Sequence, residues 1–240
     1  MIVGRGVLVT RPRELARPLA ELIERRGARA ILFPAIEIEP LPAPAALGRL
    51  REFDLVVFVS PSAVRAAGAL PLDLPAAAVG AGTARELEKA GLRRVIVPAE
   101  GADSEALLAA PQMQRMEGKR VLIVRGEGGR ALLGDTLARR GAQVEYAECY
   151  RRRRPRADAS PVVAAWKKGD LHAVTASSAE ALDNLLALLG APLVQRTPLF
   201  VPHARVADHA RRHGVQEIVL AGVSDDAMIE RLVAYFDERA

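Results

Sequence analysis

Short runs of apolar residues alternate with helical patterns along most of the chain. Runs of this kind predict parallel strands, because strands covered on both faces are continuously hydrophobic. They lie at 7–10, 30–33, 55–59, 76–79, 95–97, 121–124 and 144–146. Between the first two runs, apolar residues recur at helical spacing from Leu15 to Ile23. Further helices are predicted to start near Ser62, Thr83 and Ser104. Strands that alternate with helices predict parallel sheets with right-handed crossovers.

One strand, turn, helix and strand unit occurs twice without a gap. Eight residues of the first copy are Val7, Leu8, Arg11, Leu19, Arg25, Arg26, Gly27 and Ala28, and they recur at a constant offset as Val121, Leu122, Arg125, Leu133, Arg139, Arg140, Gly141 and Ala142. The segment 54–63 matches 170–179 in the same way, and 80–91 and 95–97 match 203–214 and 218–220. The order of the units is therefore rotated between the two copies.

This rotation predicts an α/β protein of two lobes. Residues 1–35 and 156–240 are expected to form one parallel-sheet lobe of flavodoxin-like type, and 45–147 the other. Residues 36–44 and 148–155 are expected to form a two-stranded β connector, so that the chain crosses out and back and leaves a cleft between the lobes. The alternation of apolar and acidic residues from Ile36 to Glu39, among four prolines, supports the first connector strand.

Composition excludes several classes of protein. The chain has 240 residues, half of them hydrophobic, which is enough to bury a full core. No apolar run approaches the roughly 20 residues that span a bilayer, and the N-terminus does not look like a signal peptide. The single cysteine, Cys149, fits a reducing compartment and a packing role. We therefore expect a cytoplasmic monomer that has no membrane partner.

A net charge of +5, carried mostly by arginine, favours anionic partners. Arginine suits carboxylates and phosphates because its planar fork pairs with them bidentately. A codon bias that writes Arg and Ala throughout would give the same balance, so the charge alone selects no ligand. Four arginines at 151–154 lack the interleaved aromatic residues of a nucleic-acid site, and a solvated strand beside Glu37 and Glu39 is the favoured interpretation.

Two glycine-rich turns are candidate anion sites. In the turn 125–130, Arg-Gly-Glu-Gly-Gly-Arg, the glycines allow backbone donors to approach an anion, although a merely flexible turn would have the same sequence. The segment 80–83, Gly-Ala-Gly-Thr, begins like a dinucleotide fingerprint and is followed by Glu100. Arg85 stands where the third glycine belongs, so a nicotinamide or flavin site is not favoured, whereas an anion site at this helix N-terminus is.

Histidines and hydroxyls complete the candidate chemistry. His209 and His213 have the spacing of a helical metal site, with His203 upstream, but no acid lies beside them in a zincin pattern and no cysteine is near, so no metal is predicted. Short hydroxyl side chains lie at strand ends and helix starts, where they can cap helices, bind a ligand or do both. They are Ser60, Ser62, Thr83, Ser177 and Ser178.

The succession of motifs resembles the uroporphyrinogen-III synthase family. The stretches concerned are VLVTRP at 7–12, FVSPSAV at 58–64, VGAGTARELEKAGL at 79–92, DSEALL at 103–108, VLIVRGEGGRALL at 121–133, RRGAQVEYAECYRRRRP at 139–155 and HARVADHARRHG at 203–214. Each stretch is weak by itself, but together they cover nearly the whole chain in order. The two-lobed α/β fold of that family agrees with the arrangement predicted from the repeats.

The resemblance implies a cofactor-independent cyclisation. Hydroxymethylbilane would lose water and close to uroporphyrinogen III, with pyrrole ring D inverted through a spiro intermediate, and hydroxymethylbilane synthase could hand the substrate over. The substrate carries eight carboxylates, which suit arginines, helix N-termini and glycine-loop amides. The expected binding residues are Arg11, Ser60, Ser62, Gly82, Thr83, Ser104, Arg125, Gly126, Gly128, Arg130, Ser177, Ser178 and Arg205.

By the same resemblance, Thr83 and Tyr150 fall on positions of functional interest. Tyr150 is the candidate to hydrogen-bond the departing hydroxyl, because a protonated phenol is a donor at neutral pH; a packed aromatic residue at a hinge is the alternative. Some relatives have a threonine-rich turn at 203–206, where this chain offers Arg205 instead. Two rival functions are a two-lobed protein that binds anionic ligands without catalysis and, less favoured, a nicotinamide oxidoreductase.

Overall fold

The computed structural model describes residues 1–239. Its strands are β1 (Gly6–Val9), β2 (Arg29–Leu32), β3 (Glu37–Pro40), β4 (Leu55–Phe58), β5 (Ala76–Ala78), β6 (Val95–Ile96), β7 (Arg120–Gly126), β8 (Gln143–Arg153), β9 (Ala173–Thr175), β10 (Leu199–Val201) and β11 (Ile218–Leu220). Its α-helices are α1 (Arg13–Arg25), α2 (Pro61–Ala67), α3 (Ala81–Lys89), α4 (Ser104–Ala109), α5 (Leu132–Arg139), α6 (Ser160–Lys167), α7 (Ala179–Leu189), α8 (Ala191–Arg196), α9 (Ala204–Arg212) and α10 (Asp225–Asp237). Short 3₁₀ segments lie at Ala45–Glu52 and Pro111–Met113.

The chain forms two compact units. Unit 1 combines Met1–Glu37 with the chain from Arg153 onwards, and unit 2 is the continuous segment Ile38–Arg152. Each unit has its own sheet, so the predicted α/β fold is confirmed, with two sheets that are mostly parallel. The finer division stays a prediction. In it, residues 36–44 and 148–155 form a separate connector, one lobe consists of residues 1–35 and 156–240, and the other consists of residues 45–147.

Unit 1 has a five-stranded sheet in the order β11-β10-β9-β1-β2, with every neighbouring pair parallel. Read from β2 along the sheet, this is the 2-1-3-4-5 order of flavodoxin-like folds. Helices α1 and α10 cover one face, where Leu19 and Ile23 pack with Ile229, Leu232 and the central Phe200 in one hydrophobic cluster. The amphipathic spacing of α1 thus serves to close this face.

Unit 2 has a six-stranded sheet in the order β3-β8-β7-β4-β5-β6. The strands from β8 to β6 pair parallel. Alternate residues of the central strands enter clusters on opposite faces: Val56 and Phe58 face one cluster, and Leu55 and Val57 face the other. Burial on both faces explains why this strand reads as an unbroken apolar run.

Strand β8 is longer than the sequence predicted. It runs without interruption for 11 residues, so the expected lobe strand at 144–146 and the following segment belong to one strand. Its far end lies beside β3, where the Leu41 N–H donates to the Cys149 carbonyl and Arg151 pairs with Glu39. The two contacts proceed in opposite chain directions, which is the pattern of antiparallel neighbours.

The strand register confirms the internal repeat. Val7 is the partner of Ala30 in the first copy, and Val121 is the partner of Val144 in the second, which is the same register shifted by the repeat offset. The rotated order is also confirmed, because β9, β10 and β11 occupy the sheet positions in unit 1 that β4, β5 and β6 occupy in unit 2.

The helix starts lie within two residues of the predicted positions. Helix α2 begins at Pro61 with Ser60 as its cap, and α3 begins at Ala81 instead of Thr83. Helix α4 begins at Ser104 as expected, but Asp103 is the residue that caps it. Within residues 1–239 the longest helices have 13 residues, and none is long and apolar enough to cross a membrane.

Gly6 tests the packing of β1, an internal strand of the unit 1 sheet. A Cβ atom at this position would lie 2.0 Å from the backbone carbonyl oxygen of Asp170, which cannot rotate away. Gly6→Ala should therefore displace β1 from β9 and lower the free energy of unfolding by about 1–3 kcal/mol. Urea denaturation followed by circular dichroism measures the change. Gly48→Ala is the control, since its Cβ would meet nothing within 4 Å; equal stability of the two variants would contradict the prediction.

Candidate functional site

The turns that follow the parallel strands collect most of the candidate residues. In parallel sheets, the carboxyl ends of all strands lie at one edge, and ligands bind where the order of the strands reverses. In unit 2 this reversal falls between β4 and β7, because the next strand after β4 lies on one side and the next after β7 on the other. Ser60 follows β4, and the turn 125–130 begins in the last two residues of β7, so both predicted segments flank this point.

A pair of hydroxyl groups lies at the reversal point of unit 2. The Tyr150 hydroxyl and Ser60 Oγ are 2.9 Å apart and share a hydrogen bond in which either can donate. Ser60 Oγ also accepts the N–H of Ala63 at 3.0 Å, which holds the serine at the start of α2. Tyr150 is 2% exposed, whereas Ser60 is half-buried. The structure thus brings together two residues that the sequence places 90 positions apart.

Gly126 makes room for the ring of Tyr150. The two residues are partners across β7 and β8, just after an irregularity in the register. A Cβ atom on Gly126 would lie 2.7 Å from the tyrosine ring, so the glycine is required by packing. The N–H of Glu127 donates to the Tyr150 carbonyl at 2.8 Å and fixes the backbone of the tyrosine. Gly128, with φ of 72°, is exposed and needs its glycine for the turn itself.

Arg125 is already engaged by groups of its own unit. Its guanidinium lies 2.9 Å from a carboxylate oxygen of Glu148, donates to the Gly129 carbonyl at 3.1 Å and lies 4.1 Å from the ring centroid of Tyr146. These contacts hold the side chain partly buried along the turn 125–130. A carboxylate ligand would have to share the guanidinium with Glu148 or replace it.

Arg130 connects the turn 125–130 to α4. Two of its nitrogens contact the two carboxylate oxygens of Glu105 at 2.7 and 2.9 Å, the bidentate geometry of strong pairs. Donating these hydrogen bonds to Glu105 raises the pKa of Arg130. Ser104, the predicted binding residue, is the first residue of α4 beside this pair, while Asp103 accepts the Ala106 N–H at 2.8 Å as the cap.

The N-terminus of α3 is a second strand-to-helix turn at the same edge. Gly80 precedes the helix, Gly82 is exposed on its first turn, and Thr83 is buried at 3% exposure. A Cβ atom on Gly80 would lie 2.7 Å from the Cβ of Ala102. Close packing therefore accounts for this glycine without a dinucleotide. Ser62, in the first turn of α2, is half-buried.

Unit 1 has its own candidate residues at the carboxyl edge of its sheet. Arg11, after β1, forms an ion pair with Asp225 at the start of α10. Ser178 caps α7 by accepting the Ala181 N–H at 3.1 Å, and Ser177 beside it is exposed. Arg205 is exposed in the first turn of α9. The strand order reverses between β1 and β9, so Arg11 and the two serines flank that point.

The structure corrects one premise about the histidines. The sequence has no acid beside His209 and His213 in a zincin pattern, but the fold supplies an acid, because Asp183 of α7 lies against both. Sequence reasoning also missed the acids that pair with candidate arginines, Glu148 and Asp225. The register Arg125↔Glu148 follows from pairing β7 with β8, which was not known before the structure. The sequence held no signal for Asp225.

Solved structures define the class of protein. The chain is similar to a mutant uroporphyrinogen III synthase from the bacterium Thermus thermophilus, with a TM-score of 0.59, 22% identity and coverage of 98% of this chain and 99% of the other. It is also similar to the enzyme of Helicobacter pylori 26695, with a TM-score of 0.65, 14% identity and coverage of 96% and 99%. At these identities the likeness shows the fold, a two-lobed α/β protein.

Sequence comparison identifies the family. A family model described as uroporphyrinogen-III synthase HemD matches residues 17–230. The uroporphyrinogen-III synthases of Escherichia coli K12 and Salmonella typhimurium LT2 are each 35% identical to this chain, over 95% of its length and 99% of theirs. The chain therefore belongs to the uroporphyrinogen-III synthase family.

Cys149, next to Tyr150 on β8, should be inert in the folded protein. Burial raises the pKa of its thiol to about 11, so only about one thiol in a thousand is ionised near pH 8. A chromogenic disulfide reagent should react with the native protein far more slowly than with the same protein in strong denaturant. Labelling of the native protein at the rate of the unfolded chain would contradict this burial.

Proposed function

We propose that this chain catalyses the cyclisation and dehydration of hydroxymethylbilane, with inversion of ring D, to uroporphyrinogen III. The observation that carries the proposal is the 35% identity to curated synthases over 95% of the chain, supported by the family match. The two reversal points in strand order, with hydroxyls and arginines beside them, supply a physical basis for binding.

The proposed reaction requires more positioning than acid–base power. Loss of the substrate hydroxyl leaves an electrophilic azafulvene, which a pyrrole carbon of the same molecule attacks to form the spiro intermediate. Without a protein, the linear tetrapyrrole closes to the isomer in which ring D is not inverted. The enzyme must therefore hold one conformation and stabilise the charge that develops as the hydroxyl departs.

We assign stabilisation of the departing substrate hydroxyl to the pair of Tyr150 and Ser60. A phenol or alcohol that donates a hydrogen bond to the leaving oxygen stabilises negative charge as the carbon–oxygen bond breaks. Ser60 is less buried than Tyr150 and is held by the Ala63 N–H, so it supplies the accessible side of the pair. Tyr150 is positioned by the close contact of its ring with Gly126.

Carboxylate recognition is assigned to the strand-to-helix turns. In unit 2, the backbone N–H of Gly82 in the first turn of α3, the hydroxyls of Ser62, Thr83 and Ser104 and the exposed Gly128 offer donors to substrate carboxylates. Arg125 and Arg130 would also bind substrate carboxylates if these replaced Glu148 and Glu105 as their ion-pair partners. In unit 1 the proposed contacts are Arg11, Ser177, Ser178 and Arg205.

The setting of the enzyme is also part of this proposal. We infer a cytoplasmic monomer that receives hydroxymethylbilane from its synthase, since a chain whose one cysteine is a buried thiol requires no oxidising compartment. Size-exclusion chromatography with and without the synthase tests the monomer and the hand-over together.

The reaction is tested with freshly generated hydroxymethylbilane. Purified protein should convert it to uroporphyrinogen III, detected as the type III isomer after oxidation and chromatographic separation, while the protein-free reaction gives type I. Formation of type I alone would contradict the proposal. A protein that binds anions without catalysis predicts ligand-dependent closure with no change in isomer ratio, and a nicotinamide oxidoreductase predicts binding of NAD(P) in a titration.

Tyr150→Phe tests the proposed hydroxyl pair. The variant removes one oxygen while keeping the buried ring, so turnover should fall by about 100-fold, at the lower end of what a positioned proton donor contributes. Steady-state kinetics measures the change, and thermal unfolding checks the fold. Tyr146→Phe is the matched control, because it keeps the ring that stacks on Arg125 and lies outside the pair. Equal turnover of the two variants would remove Tyr150 from the mechanism.

A further inference from the structure

Three side chains that have no assigned part in substrate binding converge on the surface of unit 1. His209 and His213 lie one turn apart on α9 and its C-terminal end, and Asp183 projects from α7. Asp183 Oδ1 lies 2.7 Å from Nε2 of His209 and 3.3 Å from Nε2 of His213. One oxygen thus contacts two imidazole nitrogens, and one potential ligand atom from each residue lies within 4.8 Å of the others.

We propose that Asp183, His209 and His213 bind a divalent first-row transition metal ion, for which Zn²⁺ is the test ion. Two imidazole nitrogens and one carboxylate oxygen are the ligand types that Zn²⁺ prefers, and histidines four residues apart present both rings to one point. Three protein ligands leave a position for water in a tetrahedral site. A hard ion such as Mg²⁺ prefers a shell of oxygens and should not bind here.

The contacts around the cluster define what must change when metal binds. In the metal-free arrangement, the N–H on Nε2 of His209 donates to Asp183, and Arg212 approaches Nδ1 of the same ring at 3.3 Å. A metal on Nε2 moves the proton to Nδ1, so Arg212 must turn away. Arg212 is exposed, and its side chain has room to do so.

Bound metal would join two helices of unit 1 that are already in contact. Helices α7 and α9 pack side by side, and the ion would connect them through Asp183 on one and the histidines on the other. An ion that binds the folded state in preference to the unfolded chain raises stability by mass action. The expected effect of the ion is on the stability of unit 1, and its readout does not involve the cyclisation.

The test is a titration of untagged, metal-free protein with Zn²⁺ by isothermal calorimetry. One equivalent should bind, and Zn²⁺ but not Mg²⁺ should raise the melting temperature. His213→Ala should weaken binding by at least about tenfold, since loss of even an outer-shell partner costs that much. His203→Ala is the matched control. His203 is an exposed histidine at the N-cap of the same helix, its side chain makes no capping hydrogen bond, and Zn²⁺ binding should be unchanged by its removal.

Asp183→Asn distinguishes a metal site from a hydrogen bond that only links α7 to α9. The amide oxygen can still accept the His209 N–H, so the metal-free protein should keep its melting temperature, while the affinity for Zn²⁺ falls because a charged ligand is lost. Absence of stoichiometric binding to the wild-type protein overturns the proposal. Binding that survives in both Asp183→Asn and His213→Ala overturns it as well. Neither result bears on the isomer assay.

Discussion

Parallel pairing of the buried central strands is the constraint on which both units depend. A parallel pair cannot be joined by a hairpin, so every connection must cross the sheet, and helices then cover both faces. The carboxyl ends of the strands consequently lie at one edge in each unit. In unit 2 that edge carries Ser60, Gly82 and the turn 125–130, and in unit 1 it carries Arg11 and Ser178. Strand order thus defines the candidate ligand-binding turns before any single side chain is considered.

Much of this arrangement could be predicted from the sequence, because burial on both faces leaves unbroken apolar runs. The repeat of Val7 at Val121 predicted one structural unit used twice, and the two copies have equal registers in the two sheets. Contacts between distant segments could not be predicted in the same way. Asp183 meets His209 only because α7 and α9 pack together, and Ser60 meets Tyr150 only because β4 and β8 flank β7. Periodicity reports which face of an element is buried, but not which polar side chain lies opposite.

The predicted binding arginines are less available than their number suggests. Arg11, Arg125 and Arg130 each pair with an acid of their own unit. Such pairing lowers the cost of holding a cation in a partly buried position, and it also means that a substrate carboxylate must offer better geometry than the acid it replaces. Selection among anions would then rest on the shape of the turns as much as on charge. Exposed Arg205, in contrast, can meet a ligand without any exchange.

The way in which the chain supplies unit 1 has a consequence for its synthesis. Unit 2 is a continuous segment, so all of its strands are available once Arg152 has left the ribosome. Strand β1 lies between β2 and β9, so the first segment of the chain has only half of its sheet neighbours until Ala173 has been made. During elongation, unit 2 can fold while β1 is paired only with β2 and its edge toward β9 has no partner. Unit 2 can therefore complete its sheet earlier in synthesis than unit 1, although β1 and β2 of unit 1 are made first.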